Sequence, residues 1–519
     1  MAPSQVAEQE NPTEESATST LGQGGEVPRL GLRQILIVLT VTLATGVYAF
    51  TWNSVTVAMP HMQGAFSATI DQVAWVMISF VIGSAVMTAS VGFLSNRYGR
   101  KEVFIISSVG FLATLVGCAL STSLVEMVVW RFLQGLCGSG LMPLGQIIAV
   151  NAFPKERYGQ ATALWALGFV TANVVSPAIS GIIVDALSWQ WIFLFPLPVG
   201  VAMLLAAIYL VPRTPRSERN LNVTGYAALI VGITALQLML ARGERLDWFE
   251  SKEILIETAV AVLGLYWFIA NTIAAREPFF DRALFLNRNY NLGNFVVFIV
   301  GTVMFLPLLL VPLELQQISG YPALDTGYLL MSRGAGSVMG LLILSRFRDR
   351  VDPRPILALG LLCTAIGSYS MSTWTVDIRA WDVIWANWLL GIATGAVWAP
   401  LNTLTLSRLS ERLQDQGVAF YYLAFDVGSA IGTAVVIGLH ARHSQVNRAI
   451  LSEQITPHGN AVELPALWSL GEGAGLASLE QELARQATMI AFNNSFVVIA
   501  VVMLAALLLV PLFRYERAS

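Results

Sequence analysis

The chain has 519 residues; 55% are hydrophobic, 12% are charged, and the net charge is −3. Soluble domains carry about 25% charged residues, so an ordinary water-soluble fold is excluded, and the near-neutral balance offers nucleic acid no basic surface. No phosphate loop of the form G-x-x-x-x-G-K-[ST] and no catalytic constellation occurs, so neither direct ATP drive nor an enzyme is expected.

Residues 1–32 are polar and rich in Glu, Ser, Thr and Gly, and read as a disordered cytoplasmic tail. No cleavable signal peptide is expected, because the first apolar block starts late and is too long. Fourteen apolar blocks follow between residues 34 and 513. Each is long enough to cross a hydrocarbon core of about 30 Å, and in lipid such spans must be helices. Most of the 30 Lys and Arg residues fall in the segments that an N-terminus-inside topology leaves in the cytoplasm, so both termini are placed inside. Cys118, Cys137 and Cys363 all lie in spans with no metal spacing, so no cofactor or metal is expected.

Between spans two and three runs GFLSNRYGRK, Gly92–Lys101. Gly92 permits close helix approach, and Arg97, Arg100 and Lys101 supply inside positive charge. Span four contains RFLQGLCGSG, Arg131–Gly140. A charge inside a span is costly and points to function. Arg131 and Gln134 share a helical face, and Gly135 with Ser139 makes a small-x-x-x-small pair. The alternative is a structural arginine satisfied by backbone carbonyls. Span five runs from Gly168 to Gly181 and ends VVSPAISG. Ala172, Ser176 and Ser180 form a small stripe there, and Pro177 interrupts the hydrogen-bond ladder. Glu126 and Glu314 are expected near the outer ends of their spans, facing water.

In span ten Arg333 precedes Gly336, Ser337 and Gly340; in span thirteen Asp426 precedes Ser429, Ala430 and Thr433 at the same offsets. Both make small, partly polar faces unsuited to lipid. After span ten, Leu344–Arg354 echoes the basic Gly92–Lys101 loop. The echo implies two duplicated six-span halves, 33–212 and 276–519, with two additional spans within 213–275 and a substrate site between the halves. The stretch 441–488 is expected as a long outer loop.

These motifs resemble the major facilitator superfamily, and within it the fourteen-span drug:proton antiporter branch of EmrB-type efflux permeases. The loop ARGERLDWFESKE, Ala241–Glu253, resembles the branch most narrowly. The resemblance implies an all-α membrane fold of two six-helix halves plus two extra helices. It implies export of hydrophobic or amphipathic small molecules against proton entry across the inner membrane, with Arg131 in proton coupling. It further implies a periplasmic adaptor and an outer-membrane channel as partners. Gly92, Asn96, Arg97, Gly99, Arg100, Pro177 and Gly181 fall in its conformational motifs. Asn96 stands where the family has an Asp that holds the halves together, which puts a charge-based latch in doubt. The first-span Asp of the branch falls at Thr51, which carries no proton, and Asn53 does not replace it.

Asp426 is therefore the candidate proton carrier, with Arg333 or Arg131 as the cation that tunes it; a static structural pair is the alternative. Candidates to line the cavity are Gln134, Tyr48, Thr51, Trp52, Trp165, Phe169, Phe305, Trp398, Tyr421 and Tyr422. A dedicated exporter of one metabolite (a siderophore, lipid or fatty acid) and a non-transporting receptor of the same fold remain open.

Overall fold

The computed structural model describes residues 31–514 except 155–156, 215, 217–221, 305, 348–351 and 454–472. Every regular element among the described residues is a helix. Fourteen rods follow one another: α1 (Leu32–Ala65), α2 (Ile70–Tyr98), α3 (Arg100–Leu120), α4 (Leu124–Ala152), α5 (Tyr158–Ala186), α6 (Trp191–Leu210), α7 (Val223–Arg242), α8 (Lys252–Ala274), α9 (Arg288–Gln317), α10 (Ala323–Phe347), α11 (Pro353–Met371), α12 (Ala380–Leu406), α13 (Glu411–Glu453) and α14 (Gly473–Leu507). Thirteen of them are long and apolar enough over their described residues to cross a membrane. Helix α10, which carries Asp325 and Arg333, packs against α12 and α5.

The duplication read from the basic loops is visible in the packing. In the first half α2 pairs with α4 and α1 with α5; in the second α10 pairs with α12 and α9 with α13. A Cβ on Gly135 would lie 2.1 Å from the Phe80 carbonyl oxygen, and one on Gly83 would lie 2.2 Å from that of Phe132. The second half repeats this reciprocal contact, with Gly391 at 2.0 Å from the Arg333 oxygen and Gly336 at 2.1 Å from that of Trp388. Both crossings bring backbone against backbone. Replacing Gly135 or Gly391 by Leu is therefore expected to destabilise the protein by about 3 kcal/mol or more. Gly181 meets nothing within 4 Å, so Gly181→Ala is expected to gain up to about 1 kcal/mol in helix stability. Thermal unfolding of the detergent-purified variants checks both.

The halves meet along two seams, α2 against α13 and α5 against α10. The additional helices α7 and α8 cross through Gly232 and Gly264 and dock by α7, which touches both α2 and α13. Tyr226 of α7 shares a hydrogen bond of 2.7 Å with Ser90 of α2, and Arg242 pairs with Glu253 and Glu257 across the α7–α8 turn. The end of the bundle bearing Gly92–Lys101 is called inner below, and the other end outer.

Of the expected loop at 441–488, the described residues, 441–453 and 473–488, are helical. Helix α13 has 43 residues and α14 has 35. At about 1.5 Å per residue both exceed the thickness of a hydrocarbon core. Their outer extensions run side by side, joined by Ser444 with Thr488 at 3.1 Å and by the Arg448–Glu480 pair. Polar composition alone reads as loop; here the two segments pair and hold each other helical.

Candidate functional site

Asp426 lies on α13 where it crosses α2, and Thr88 of α2 presents its hydroxyl to the carboxylate. The residue is deep in the bundle, yet it is only half-buried and keeps part of its surface accessible. Its surroundings are aromatic. Trp398 of α12 stands 6.3, 6.4 and 5.1 Å from the rings of Tyr421, Tyr422 and Phe425. Trp165 of α5 meets Tyr422 edge-on at 6.4 Å while its Nε1 donates to Thr45 at 2.9 Å. Phe169 is half-buried one turn further along α5.

A second aromatic group comes from α1 and α2. Phe80 lies 4.9 Å from half-buried Trp52 and 5.9 Å from Tyr48, and the Tyr48 hydroxyl is 3.4 Å from Ser84 Oγ. Tyr48 is within electrostatic reach of both Asp426 and Arg131. The two groups offer π faces and few hydrogen bonds, which suits flat or amphipathic ligands.

Arg131 is fully buried in α4. Its Nη1 donates to Gln134 Oε1 at 2.5 Å, its Nε donates to the Val76 carbonyl at 3.2 Å, and its guanidinium lies 4.2 Å from the centre of the Phe80 ring. A carbonyl, an amide oxygen and a ring face thus hold the charge, and among the described residues no carboxylate does. Arg333 is the counterpart in α10. It is 3% exposed, donates from Nη2 to the Met304 carbonyl at 3.1 Å, and leaves Nη1 without a partner among the described residues. Among the described residues neither arginine forms an ion pair with Asp426, and each is turned onto its own half's helices.

Toward the inner end the halves are tied by buried polar bonds. Gln146 of α4 donates from Nε2 to Asn402 Oδ1 of α12 at 2.6 Å and accepts from the Tyr422 hydroxyl at 2.5 Å. Gln146 and Asn402 each stand eleven residues after the crossing glycine of their helix, Gly135 and Gly391, so they are equivalent positions of the two halves. Tyr422 precedes Asp426 by one helical turn, which puts this seal directly beneath the carboxylate. Further in, Arg100 grips Asp415 of α13 through Nη2 at 2.8 Å and Nε at 2.9 and 3.1 Å, and Ser95 donates to the same carboxylate at 3.2 Å. Gly92 admits the contact, since its Cβ would lie 3.0 Å from the Asp415 carbonyl oxygen.

A profile of the Major Facilitator Superfamily matches residues 41–433. The chain belongs to the Major Facilitator Superfamily. It is 28% identical over 480 residues to Multidrug export protein EmrB of Escherichia coli K12, covering 90% of this chain and 93% of that one. It is 29% identical over 474 residues to Fatty acid resistance protein FarB of Neisseria gonorrhoeae, covering 90% and 91%. With Putative multidrug resistance protein MdtD of Yersinia pestis the identity is 30% over 401 residues, covering 75% and 84%. The fold is shared with the human organic anion transporter MFSD10 at TM-score 0.58 and 12% identity, covering 91% of this chain and 99% of that one.

At the superfamily motif between α2 and α3, Asn96 is half-buried, and the charged contact from this segment to the second half is the Arg100–Asp415 pair. Gly99 adopts φ +99°, a conformation that favours glycine, and lets the chain turn sharply so that Arg100 starts α3 facing α13. Arg97 is exposed and stacks near Tyr98 at 5.9 Å. Thr51 is fully buried and donates to its own helix's Val47 carbonyl at 2.9 Å. Gln134 is engaged by Arg131. The Pro177 stripe packs on α1, with Ser180 donating to Ser54 at 2.6 Å and Asn53 to Asn173 at 2.6 Å. Glu126 is exposed, as expected. Glu314 is not: it is 0% exposed. Phe305 lies outside the described residues.

Sequence reading missed Asp415, Thr88, Gln146 and Asn402. Asp415, in ERLQDQGVAF, looks like ordinary loop charge. The signal for Gln146 and Asn402 was a lone amide shortly after a proline in each half, in LMPLGQ and WAPLN.

Proposed function

We propose that this chain is a proton-driven exporter of hydrophobic or amphipathic small molecules, working by alternating access of the aromatic site between its halves. One observation carries the proposal: Asp426, a carboxylate deep at the α2–α13 seam, keeps solvent access one turn above the polar seal of Tyr422, Gln146 and Asn402. A carboxylate there meets water, substrate and the moving seam together, so its charge state biases which arrangement of the halves is stable. The basic inner end supports an inner-membrane orientation with both termini cytoplasmic. The outer α13–α14 extension exposes Val446, Ile450 and Leu476 as a surface for a periplasmic adaptor serving an outer-membrane channel.

Everted membrane vesicles from a pump-deficient host test the proposal. An acid lumen is expected to drive uptake of lipophilic dyes, and collapsing the pH gradient is expected to stop it. Uptake indifferent to the gradient overturns proton drive. Similarity to a fatty acid resistance protein at 29% identity favours one narrower alternative, export of long-chain fatty acids. A panel of lipophilic cations and fatty acids in the same vesicles separates the two.

A further inference from the structure

Glu314 sits in the outer part of α9, in the leucine-rich turn LPLLLVPLELQQ. It is fully buried, and neither carboxylate oxygen has a hydrogen-bond partner. No ion pair reaches it among the described residues. This part of α9 packs mainly on α10 and α14. From α10 come Asp325, which is exposed, and Arg333, whose Nη2 is on the Met304 carbonyl. From α14 come Glu480, paired with Arg448, and Glu482 and Arg485. The Arg485 guanidinium is engaged by the Ile318 and Val376 carbonyls and by Glu482. An ionised carboxylate with no partner is strongly disfavoured in such a place, because no water or cation repays its lost hydration. A leucine would fill the turn without that cost.

Water is close by. A cavity of about 400 Å³ opens at the end of α9, lined by Gln317, Ile318, Ser319, Gly320, Glu482 and Arg485. The amides of Ile318 and Ser319 both donate to the Glu314 carbonyl, at 2.9 and 3.2 Å, and the Ser319 hydroxyl is itself buried without a partner.

We propose that Glu314 is a proton-binding site facing the outer side, held as the neutral acid in this conformation, whose ionisation releases the outer end of α9. The proton comes from outer water through the Ser319 cavity and bonds to a carboxylate oxygen. Acid outside then favours the packed outer end and alkali favours the open one, by linkage. The consequence for export rests on the proton-antiport function proposed above; the protonation of Glu314 does not.

Two measurements on the full-length purified protein test it. Infrared difference spectra of the parent against Glu314→Gln are expected to show the carbonyl stretch of a neutral acid near neutral pH; carboxylate bands in its place overturn the proposal. In the second, Ser319→Cys is labelled with an impermeant maleimide from about pH 6 to about pH 9, with and without Glu314→Gln. Taking the ratio at each pH cancels the thiol's own titration. The ratio is expected to rise by up to about tenfold per pH unit once Glu314 ionises. A flat ratio overturns the release of α9. Both readouts are independent of transport, so a failure of proton-driven export leaves them interpretable. The glutamine variant, isosteric and neutral, is expected to fold like the parent.

Discussion

Asp426→Asn is expected to abolish the response of export to a pH gradient while leaving substrate binding in place. Asparagine keeps the shape and still accepts from Thr88, but it cannot exchange a proton. Coupling between two ligands of one conformational equilibrium is a free energy on the order of 1–3 kcal/mol, so gradient-stimulated export should fall about 5- to 150-fold. The measurement compares dye uptake in everted vesicles with and without the gradient, alongside dye binding to purified protein. Loss of both binding and export would indicate a damaged fold, and the unfolding temperature reports that separately. Undiminished gradient-driven export by a folded variant removes Asp426 from the mechanism. A carrier elsewhere, such as Glu314, would then have to act alone.

The second large effect is expected at the inner latch. Asp415 is 3% exposed and accepts from both Arg100 and Ser95, whereas Arg100 keeps 17% of its side chain exposed. Removing one partner of a fully buried pair costs about 3–5 kcal/mol. Solvent reaching Arg100 lowers that here to on the order of 2 kcal/mol. Because the pair joins the two halves, this cost falls on the arrangement in which the inner end is closed. Asp415→Ala is therefore expected to shift the population toward an open inner end by about 30-fold. Cysteine accessibility from the inner side measures the shift. The charge-reversed double variant, Arg100→Asp with Asp415→Arg, is expected to restore a good part of the closed state, although Ser95 then faces a cation. Equal accessibility in Asp415→Ala and the parent would mean that the Gln146–Asn402–Tyr422 seal holds the inner end unaided.

The membrane architecture was legible from residue order because lipid leaves the backbone no partner but its own helix, so each apolar block of sufficient length had one structural solution. The duplication was legible too, since the Gly92–Lys101 loop and its echo after span ten carry the same charge for the same topological reason. Arg131, Arg333 and Asp426 stood out because charge inside a span is costly wherever the helix ends up. Partnership was not legible. That Arg100 meets Asp415, that Gln146 meets Asn402, and that neither buried arginine meets Asp426 depend on how helices far apart in the chain are rotated against one another. That rotation follows from glycine crossings such as Gly135 on Phe80 and Gly391 on Arg333. Glu314 makes the same point in reverse. Its place near the end of a span reads as a water-facing acid, and only the packing of α10 and α14 around it, with no cation among the described residues turned its way, makes it a buried one. Hydropathy is a property each segment carries alone, whereas a contact belongs to two segments and exists only once both are placed.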